Sequence, residues 1–549
     1  MLHSPFSPLS PVSPLYPDGL IDTQWLRKHQ VMVPGILLCF YKLVSDPTQA
    51  TLCDNQIKTD LNNIKGLLSQ SGYKTRLAVV LLSDQSAKSI EGVQERLETI
   101  RKGCAIDSKA LFLVPPNESA EELERMAENM LSTLYPLAVE YYRDLGRHAR
   151  KKKGRGVAPQ PTVPPTSGTS QTLSLPGWNV RYDFKSAVFA EFRVEFENAL
   201  RSYDQAYDGL LSSELLDVIP SWSPRWDEAR FLADVMAIRG VSCLLWGGQH
   251  STAARRWQLH RVRIADFVDR RGRGTKNYGW EAWEARWAMV MADLIERSNI
   301  QGFAPSTHAL YLQPEKAAMG ERLQPWELLH HPGYWYRLAA KHLHARRVLA
   351  QAMPEDDRRP PSSSPASHVA SNSFTYDTYM CPEPHQEYPL NGAPGTDHTQ
   401  LIVESLMQAR TEFLKRHQVR FAAELTLECA RELTVSREWN SVVELLRPLW
   451  KDMSFRTEGW LMIVEELSWI LRGAAAMAGE AGLVIAIDWE LLNRGTHPHT
   501  LSLFQSLAGY GFFASILIFS SLHEKAELAL RHRQVIGWDA DKVKASGSH

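Results

Sequence analysis

Two histidine pairs are the residues whose type and spacing most resemble a metal site in this sequence. His330 and His331 precede Pro332, and His342 and His344 lie in the helical pattern that follows. Imidazole nitrogens bind zinc and other transition metals, but a protein zinc site needs three or four ligands at defined spacings. No carboxylate or cysteine completes such a set here, so we predict no metal site.

Nucleophilic and phosphate-binding chemistry also lacks its signatures. The six cysteines are scattered without a CxxC pair: Cys39, Cys53, Cys104, Cys243, Cys381 and Cys429. This distribution disfavours a zinc site and a disulfide scaffold and fits a reducing cytosol. The chain has no GxSxG, HExxH or GxxxxGK[ST] motif, and no GxGxxG loop follows the first predicted strand. We therefore predict no enzyme, no catalytic residues and no cofactor.

Composition indicates an ordinary globular protein of several packing units. The chain has 549 residues, 44% hydrophobic and 22% charged, with a formal net charge of -1. That length corresponds to three or four units of about 150 residues each. A near-neutral chain has no overall electrostatic affinity for nucleic acid or membrane, so any site for an anionic partner must be local.

Two basic stretches are candidates for such a local site. The sequence RHARKKKGR, residues 147–155, places six basic residues in nine, and RRGRGTK occupies residues 270–276. Such runs contact phosphates or anionic lipid head groups, or serve as nuclear import signals. For residues 147–155 a solvated helix end is the favoured interpretation.

Residues 17–146 predict a small α/β domain. Three short apolar runs have the length of buried strands: Val31–Tyr41, Arg76–Leu82 and Lys109–Pro115. Helical patterns separate them, and this βαβαβ order predicts a parallel sheet. A third helix begins with a capping box at Ser119 and Glu122, and we expect Pro136 to kink or restart it.

Residues 178–352 and 400–494 predict an α-solenoid of helix pairs that resembles tetratricopeptide repeats. The array is organised around Phe184–Leu211, read as one amphipathic helix with Arg193 on its polar face. In the next helix four apolar residues are predicted to face inward: Phe231, Val235, Ile238 and Leu245. Eight tryptophans are predicted to lie in the core: Trp226, Trp246, Trp257, Trp280, Trp283, Trp287, Trp326 and Trp335. A later helix from Trp439 is expected to close at Pro448.

Polar or irregular segments separate and flank these domains. Residues 1–16 repeat Ser-Pro and predict a disordered leader, residues 147–177 a basic, Pro- and Ser-rich linker, and residues 353–399 a low-complexity insertion. Residues 495–549 form an atypical tail. Its uncharged segment 501–522 is long enough to span a bilayer, but its glycines and polar residues favour an altered chain end or a soluble helical cap over a membrane anchor.

Five segments taken in order resemble the foie gras family of subunits of the trafficking protein particle (TRAPP) complex. They are Pro17–Leu43, Thr75–Leu82, KALFLVP from Lys109, Lys185–Tyr207 and Pro332–Arg347. The likeness covers residues 15 to 494 and ends where the atypical tail begins. Relative to the family pattern, we expect the chain to have less sequence before the first strand and to lack a β-rich second half.

The resemblance implies a non-catalytic scaffold in a complex that exchanges guanine nucleotides on a Rab GTPase. That complex acts in transport from the endoplasmic reticulum to the Golgi and in autophagy. The expected partners are other TRAPP subunits, a Rab GTPase indirectly, and the surface of Golgi or ER-derived membranes, with the chain cytoplasmic and peripheral at the cis-Golgi. No catalytic residues are carried over, because family members have none.

Two other functions compete with this scaffold hypothesis. One is a nucleic-acid-associated repeat protein that uses residues 147–155 and 270–276, whose affinity would fall steeply with salt. The other is a nucleotide-dependent enzyme built on the N-terminal sheet, which has no phosphate-binding loop to support it. For the scaffold, we predict that partner subunits contact residues 178–352, because stacked helix pairs offer a long surface without chemistry.

Overall fold

The structure is a computed structural model that divides into two compact units. It describes residues 4–83, 92–116, 119–161, 173–220, 223–270, 274–304, 307–315, 327–353, 387–388, 395–452 and 458–493. Unit 1 contains Met1–Ile264 and Pro314–Glu327, and unit 2 contains Ala265–Gln313 and Leu328–His549.

The N-terminal segment of unit 1 is ordered from residue 4, so the predicted disordered leader is wrong there. Its Ser-Pro repeat forms a turn every three residues, in which each of Ser7, Ser10 and Ser13 donates its N–H to the carbonyl of the preceding serine. This period buries Leu9 and Leu15. Further hydrogen bonds tie the segment down, because Arg181 donates to the Phe6 carbonyl and Arg225 pairs with Asp18, each at 2.7 Å.

The predicted parallel sheet is confirmed. Helix α1 (Thr23–Arg27) and a π-helical turn (Lys28–Met32) lead into β1 (Ile36–Leu43), which is followed by α2 (Pro47–Ser71), β2 (Arg76–Ser83), α3 (Val93–Gly103) and β3 (Leu111–Val114). The strand order is β1-β2-β3, and both pairs are parallel. Apolar residues of β2 pack with those of α2 and α3 in one core, because a central parallel strand is covered on its faces.

Helix α4 (Ala120–Lys153) follows the sheet. The capping box is confirmed: Ser119 Oγ accepts a hydrogen bond from the Glu122 N–H, and Glu122 Oε2 accepts one from the Ser119 N–H. Pro136 lies inside this helix, so the helix does not restart there. Its last turn continues into the segment predicted as a linker, because the basic residues there suit the negative end of the helix dipole.

Four further helices complete the described part of unit 1 and lead into unit 2. They are α5 (Leu175–Glu191), α6 (Phe196–Leu210), α7 (Pro224–Trp246) and α8 (His250–Arg270). The predicted single helix Phe184–Leu211 is therefore two helices that pack together. Arg193 lies in the turn between them, 6% exposed, where it donates to the Phe189 carbonyl and pairs with Glu195. Its predicted position on a polar outer face is wrong.

Unit 2 continues with successive helices, each packed on the next. They are α9 (Tyr278–Arg297), α10 (Pro332–Gln351), α11 (His398–Lys415), α12 (Val419–Val435), α13 (Trp439–Lys451), α14 (Leu461–Met477) and α15 (Ala481–Asn493). Pro448 lies inside α13, which continues to Lys451 instead of closing at the proline.

A recurring turn joins the helices of each pair. The helix ends, one residue adopts a positive φ, and the next residue donates its N–H to the carbonyl five positions earlier. This occurs at Val194, Gly248, His417, Arg437 and Gly479. The pattern is the Schellman helix ending. Its repetition in both units shows that the helices form hairpins, and with the sheet it confirms the predicted fold class.

Several predictions fall outside the described residues. They include the atypical tail 495–549 with its apolar segment 501–522, most of the insertion 353–399, and Trp326. Of the insertion, Glu387 is described and is fully buried against Arg346. Across the part of the chain that the structure describes, no helix has the length and apolar character needed to cross a membrane.

Candidate partner-binding surface

A buried hydrogen-bonded chain links three helices of unit 1. His260 of α8 places its Nε2 2.7 Å from Asp234 Oδ1 of α7 and its Nδ1 2.8 Å from the Tyr207 hydroxyl of α6. Burial raises the pKa of Tyr207, which keeps the phenol neutral. An Asp-His-hydroxyl chain occurs in hydrolases, but there the hydroxyl group faces a substrate. Here all three side chains are buried, so these hydrogen bonds hold the three helices together.

Ion pairs extend this connection across four helices. Arg239 of α7 donates to both oxygens of Glu191 of α5 at 2.8 Å, and the Tyr203 hydroxyl of α6 donates to the same carboxylate. Arg256 of α8 pairs with Asp204 of α6 at 2.7 Å. The pair of Arg239 with Glu191 is mostly buried, whereas Asp204 is 52% exposed, so the first pair contributes more to holding these helices in one arrangement.

Helix α7 therefore turns charged residues toward the interior. Arg230, Asp234 and Arg239 are 1%, 2% and 8% exposed. They lie among small residues that admit close neighbours, and Gly240 is the closest case: a Cβ there would lie 2.3 Å from Arg256 Nε. This face carries the hydrogen bonds to α5 and α8, so it is the core face of α7.

The opposite face of α7 carries a row of apolar residues that are not fully buried. We call Phe231, Val235, Ile238 and Trp246 the α7 stripe. Phe231 is 42% exposed and Trp246 61% exposed, while Val235 and Ile238 are half-buried. The prediction that Phe231, Val235 and Ile238 face inward is therefore wrong, and only Leu245 of that set is buried. The core face of α7 is occupied instead by Leu232, Met236 and Val241 together with the three buried charged residues.

The α7 stripe has the composition of a binding surface. Exposed aromatic residues that cluster on a rigid element are enriched among the residues that dominate binding energy, tryptophan above all. Single exposed apolar residues are common, whereas the α7 stripe places two exposed aromatic residues and two half-buried aliphatic ones on one helix face. The stripe lies within residues 178–352, the region predicted to contact partners, although the sequence identified no individual residue there.

The remaining predicted core tryptophans are buried, with exposures of 0% to 5%: Trp226, Trp257, Trp280, Trp283, Trp287 and Trp335. Trp246 is the exception among the described ones. It ends α7 immediately before the Gly247-Gly248 turn, so no further turn of the helix covers it.

The four candidate histidines take separate structural roles in unit 2. His331 caps α10 by accepting the Gly333 N–H on Nδ1, and burial, followed by the charges of Arg416 and His330, lowers its pKa to about 3. His330 stacks on Tyr334. His342 contacts Glu281 at 2.7 Å, and His344 contacts Glu432 at 3.3 Å.

The arrangement offers no metal site within the described ranges, where no group of three or more His, Cys, Asp or Glu is placed to hold an ion. Five cysteines are described, and all have free thiols. Burial raises the pKa of Cys243 and of Cys429 to about 12, so neither thiol ionises near neutral pH. Cys381 lies outside the described residues.

The first basic stretch ends α4 and is partly paired. Arg147 pairs with Asp144 at 2.9 Å, and Lys153 pairs with Asp183 at 2.7 Å. Arg150, Lys151 and Arg155 are exposed. Of the second stretch, Arg270 pairs with Asp266 at 3.0 Å, and residues 271–273 lie outside the described part of the chain.

A sequence signal for the orientation of α7 does exist. Ala229, Ala233, Ala237 and Gly240 recur at spacings of four and three residues along one helix face. Small residues at that spacing mark a face where helices approach closely. If the row of small residues is taken to mark the buried face of α7, the large apolar residues of the α7 stripe are predicted to lie on the protein surface.

Two family models match the chain. The model described as Trafficking protein particle complex subunit 11 N-terminal domain matches residues 1–123. The model described as Foie gras liver health family 1 matches residues 225–494. The first match contains the ordered N-terminal segment and the sheet, and the second contains the α7 stripe.

Curated relatives agree with these matches. The chain is 21% identical over 499 residues to the Trafficking protein particle complex subunit 11 of Homo sapiens, and it has the same identity to those of Bos taurus and Gallus gallus. The alignments cover 87% of this chain and 40% of each relative. The chain thus spans less than half the length of the relatives that it matches.

Proposed function

We propose that the chain is a non-catalytic scaffold subunit of a TRAPP-type tethering complex, because its sequence matches a foie gras family model and the model of the subunit 11 N-terminal domain. The observation that carries this proposal is the pair of family matches, at residues 1–123 and 225–494, in one chain order. The relatives bear the name of subunit 11 of such a complex. The proposal extends that role to a chain that aligns with 40% of their length.

The proposed role is in membrane traffic. The complex would exchange guanine nucleotides on a Rab GTPase, and other subunits would carry the exchange chemistry. This subunit would hold the assembly together, at the cis-Golgi and ER-Golgi membranes, in ER-to-Golgi transport and in autophagy. Its partners would be other TRAPP subunits directly and the Rab GTPase indirectly.

The geometry of unit 1 supports a scaffold. Four helices are cross-linked by buried polar contacts among Asp234, His260, Tyr207, Arg239 and Glu191. A surface held on such a framework loses little conformational freedom on binding, which favours affinity. The α7 stripe is presented on this framework, and we propose it as the surface that contacts a partner subunit.

Co-purification tests the proposal. A tagged full-length chain is expressed in cells, and the recovered TRAPP subunits are quantified by mass spectrometry. The variant Phe231→Asp/Trp246→Asp places two carboxylates on the α7 stripe and is expected to lose at least one subunit that the native chain recovers. The matched control, Met462→Asp/Met477→Asp, alters two exposed apolar residues of α14, 74% and 65% exposed, and is expected to recover the native set.

The outcomes separate the two levels of the proposal. If the native chain recovers no TRAPP subunit, the proposed function is wrong. If the native chain and the α7 variant recover the same subunits in equal amounts, the complex membership stands and the α7 stripe is not the contact.

A further inference from the structure

Lys185 of α5 is a buried lysine without a carboxylate partner among the described residues, and burial, followed by the charges of Arg181 and Lys28, lowers its pKa well below the usual value. It is 9% exposed, and its ammonium lies 4.7 Å from the ring centre of Trp25 and 5.3 Å from that of Tyr182. Cation–π contacts of this kind stabilise the charge by about 1–2 kcal/mol when desolvated. That is less than the several kcal/mol that burial of an ion costs.

Other cations surround Lys185. Arg181, one turn earlier on α5 and 3% exposed, donates to the neutral backbone carbonyls of Phe6 and Leu20. Lys28 lies over the rings of Phe6 and Tyr73. Burial, followed by the charges of Lys28 and Lys185, lowers the pKa of His29 to about 4. Positive charge is therefore concentrated around Lys185, with Glu228 and Asp22 within electrostatic reach of Arg181.

The basic end of α4 joins this cluster. His148 is within electrostatic reach of Lys151, Lys152, Arg155 and Lys185, and these cations lower its pKa together with burial, the largest cause. The nearest acidic group of α5, Asp183, is already held by Lys153 at 2.7 Å. Arg150, Lys151 and Arg155 are exposed. We call these three residues the basic patch, with Lys28 and Lys185 behind it.

Cations placed close together repel one another, which costs the fold stability. A partner that supplies several negative charges would remove this cost. Two exposed apolar residues lie next to the cluster in sequence: Val31, 77% exposed, and Met32, 66% exposed, end the π-helical turn that begins with Lys28. Basic residues combined with exposed apolar ones are typical of peripheral attachment to anionic bilayers.

We propose that the basic patch docks the chain on an anionic membrane by binding the phosphate groups of lipid head groups. Val31 and Met32 contact the interface beside Lys28. This inference rests on the proposed function for the membrane setting, and it names the surface of unit 1 that faces the bilayer. A duplex nucleic acid would offer phosphates but no apolar phase for Val31 and Met32, so the membrane is the partner that fits both features.

Vesicle co-sedimentation of the purified full-length chain tests the proposal. Three vesicle types are used: phosphatidylcholine alone, and phosphatidylcholine with phosphatidylserine or with a phosphatidylinositol phosphate. We expect binding to both anionic vesicle types, little binding to phosphatidylcholine, and a loss of binding as salt rises, because screening weakens the attraction. The variant Arg150→Glu/Lys151→Glu/Arg155→Glu should bind about a hundredfold or more weakly, since each of the three basic residues near a charged bilayer contributes a factor of about five.

A matched control makes the same change in net charge elsewhere. Arg297→Glu/Lys341→Glu/Lys451→Glu alters three exposed basic residues of unit 2 and should bind like the native chain. Both variants alter exposed residues, and their thermal unfolding is compared with that of the native chain to confirm folding.

Three results would overturn the proposal. The first is equal vesicle binding by the patch variant and the native chain, and the second is an equal loss of binding in the patch and control variants. The third is a native chain that does not bind anionic vesicles but binds duplex RNA or DNA, with that binding lost in the patch variant. The assay contains no other subunit, so it fails independently of the co-purification that tests complex membership.

Discussion

Helix α7 and the C-terminal helices α12 to α15 differ in how many charged residues they bury. The core of α12 to α15 is apolar: Leu427, Ala430, Leu433, Val442, Val443, Leu446, Leu467, Leu471, Ala474, Ala475, Val484 and Ile487. Of the ion pairs of this region, Arg431 with Glu466 lies half-exposed on the surface, and Arg472 pairs with the buried Asp488. Helix α7 buries three charged residues, Arg230, Asp234 and Arg239, beside its buried apolar residues. Both regions also expose apolar side chains: Phe231 and Trp246 in α7, and Met462 and Met477 in α14.

The difference shows what each region is built for. An apolar core with charges outside is the arrangement that stability alone favours. Buried charges cost free energy unless every partner is present, and exposed aromatic residues contribute little to folding. We propose that α7, which accepts the cost of three buried charges, offers its exposed apolar residues to another molecule. This comparison is the basis for assigning the α7 stripe to partner binding.

The largest expected effect comes from the buried network of unit 1. Asp234→Ala leaves His260 without its carboxylate in a buried site, so we expect the free energy of unfolding to fall by about 3–5 kcal/mol. Urea denaturation of the full-length chain measures it. Arg431→Ala, which breaks the exposed pair with Glu466, is the control, with an expected cost of about 1 kcal/mol or less. Equal costs for the two variants would contradict a structural role for the network.

A second comparison contrasts an apolar core residue with an apolar surface residue. Leu446 of α13 is fully buried, and Leu446→Ala should cost about 2–5 kcal/mol through lost burial and the cavity left behind. Phe231→Ala should cost under about 1 kcal/mol, because Phe231 is 42% exposed. Denaturation of both variants decides the point: a cost for Phe231→Ala that matches Leu446→Ala would make the α7 stripe part of the core.

Acid should destabilise unit 2 through His331. Its pKa in the folded chain is lowered to about 3, below the ordinary value of 6.5. Between these two values His331 is therefore protonated in the unfolded chain and neutral in the folded chain. The stability from neutral His331 is fully present above pH 6.5 and is lost as pH falls from there toward 3, by up to about 1.4 kcal/mol per pH unit. His331→Asn retains a capping oxygen and should flatten this dependence in urea denaturation between pH 7 and 5. An unchanged slope would show that His331 does not titrate in this way.

The smallest expected effect concerns the hairpin turns common to both units. Val194 has a φ of 61° and is 53% exposed, so a β-branched residue adopts a left-handed conformation there without burying its side chain. Val194→Gly should stabilise the chain by about 1 kcal/mol or less. The reverse change in the α7–α8 turn, Gly248→Val, should destabilise by about 1–2 kcal/mol. Thermal unfolding compares the two, and destabilisation by Val194→Gly would refute the strain.

The regular parts of the fold were predictable because their signals are local. Short apolar runs separated by helical patterns predicted the parallel sheet, and Ser119 with Glu122 predicted the start of α4. The break between α5 and α6 was not predictable in this way, because it occurs at Phe192–Glu195, without the glycine or proline that usually ends a helix.

The candidate surface depends on tertiary contacts and was predicted only as a region. Phe231, Val235 and Ile238 have the spacing of a buried helix face, and nothing local shows that Asp234 and Arg239 find partners on α8 and α5. Those partners lie 26 and 48 residues away in sequence. The prediction of a disordered Ser-Pro leader was wrong for a similar reason. Arg181 and Arg225, which hold this segment in place, come from α5 and α7.

The central claim is that the α7 stripe becomes buried when the chain joins its complex, and hydroxyl-radical footprinting measures this directly. The purified chain and the chain within its co-purified TRAPP assembly are oxidised side by side, and labelling of Trp246 is compared with that of Met462 and Met477. We predict that labelling of Trp246 falls severalfold in the assembly while the two methionines of α14 keep their labelling. Equal labelling of Trp246 in the free and assembled chain would contradict the claim.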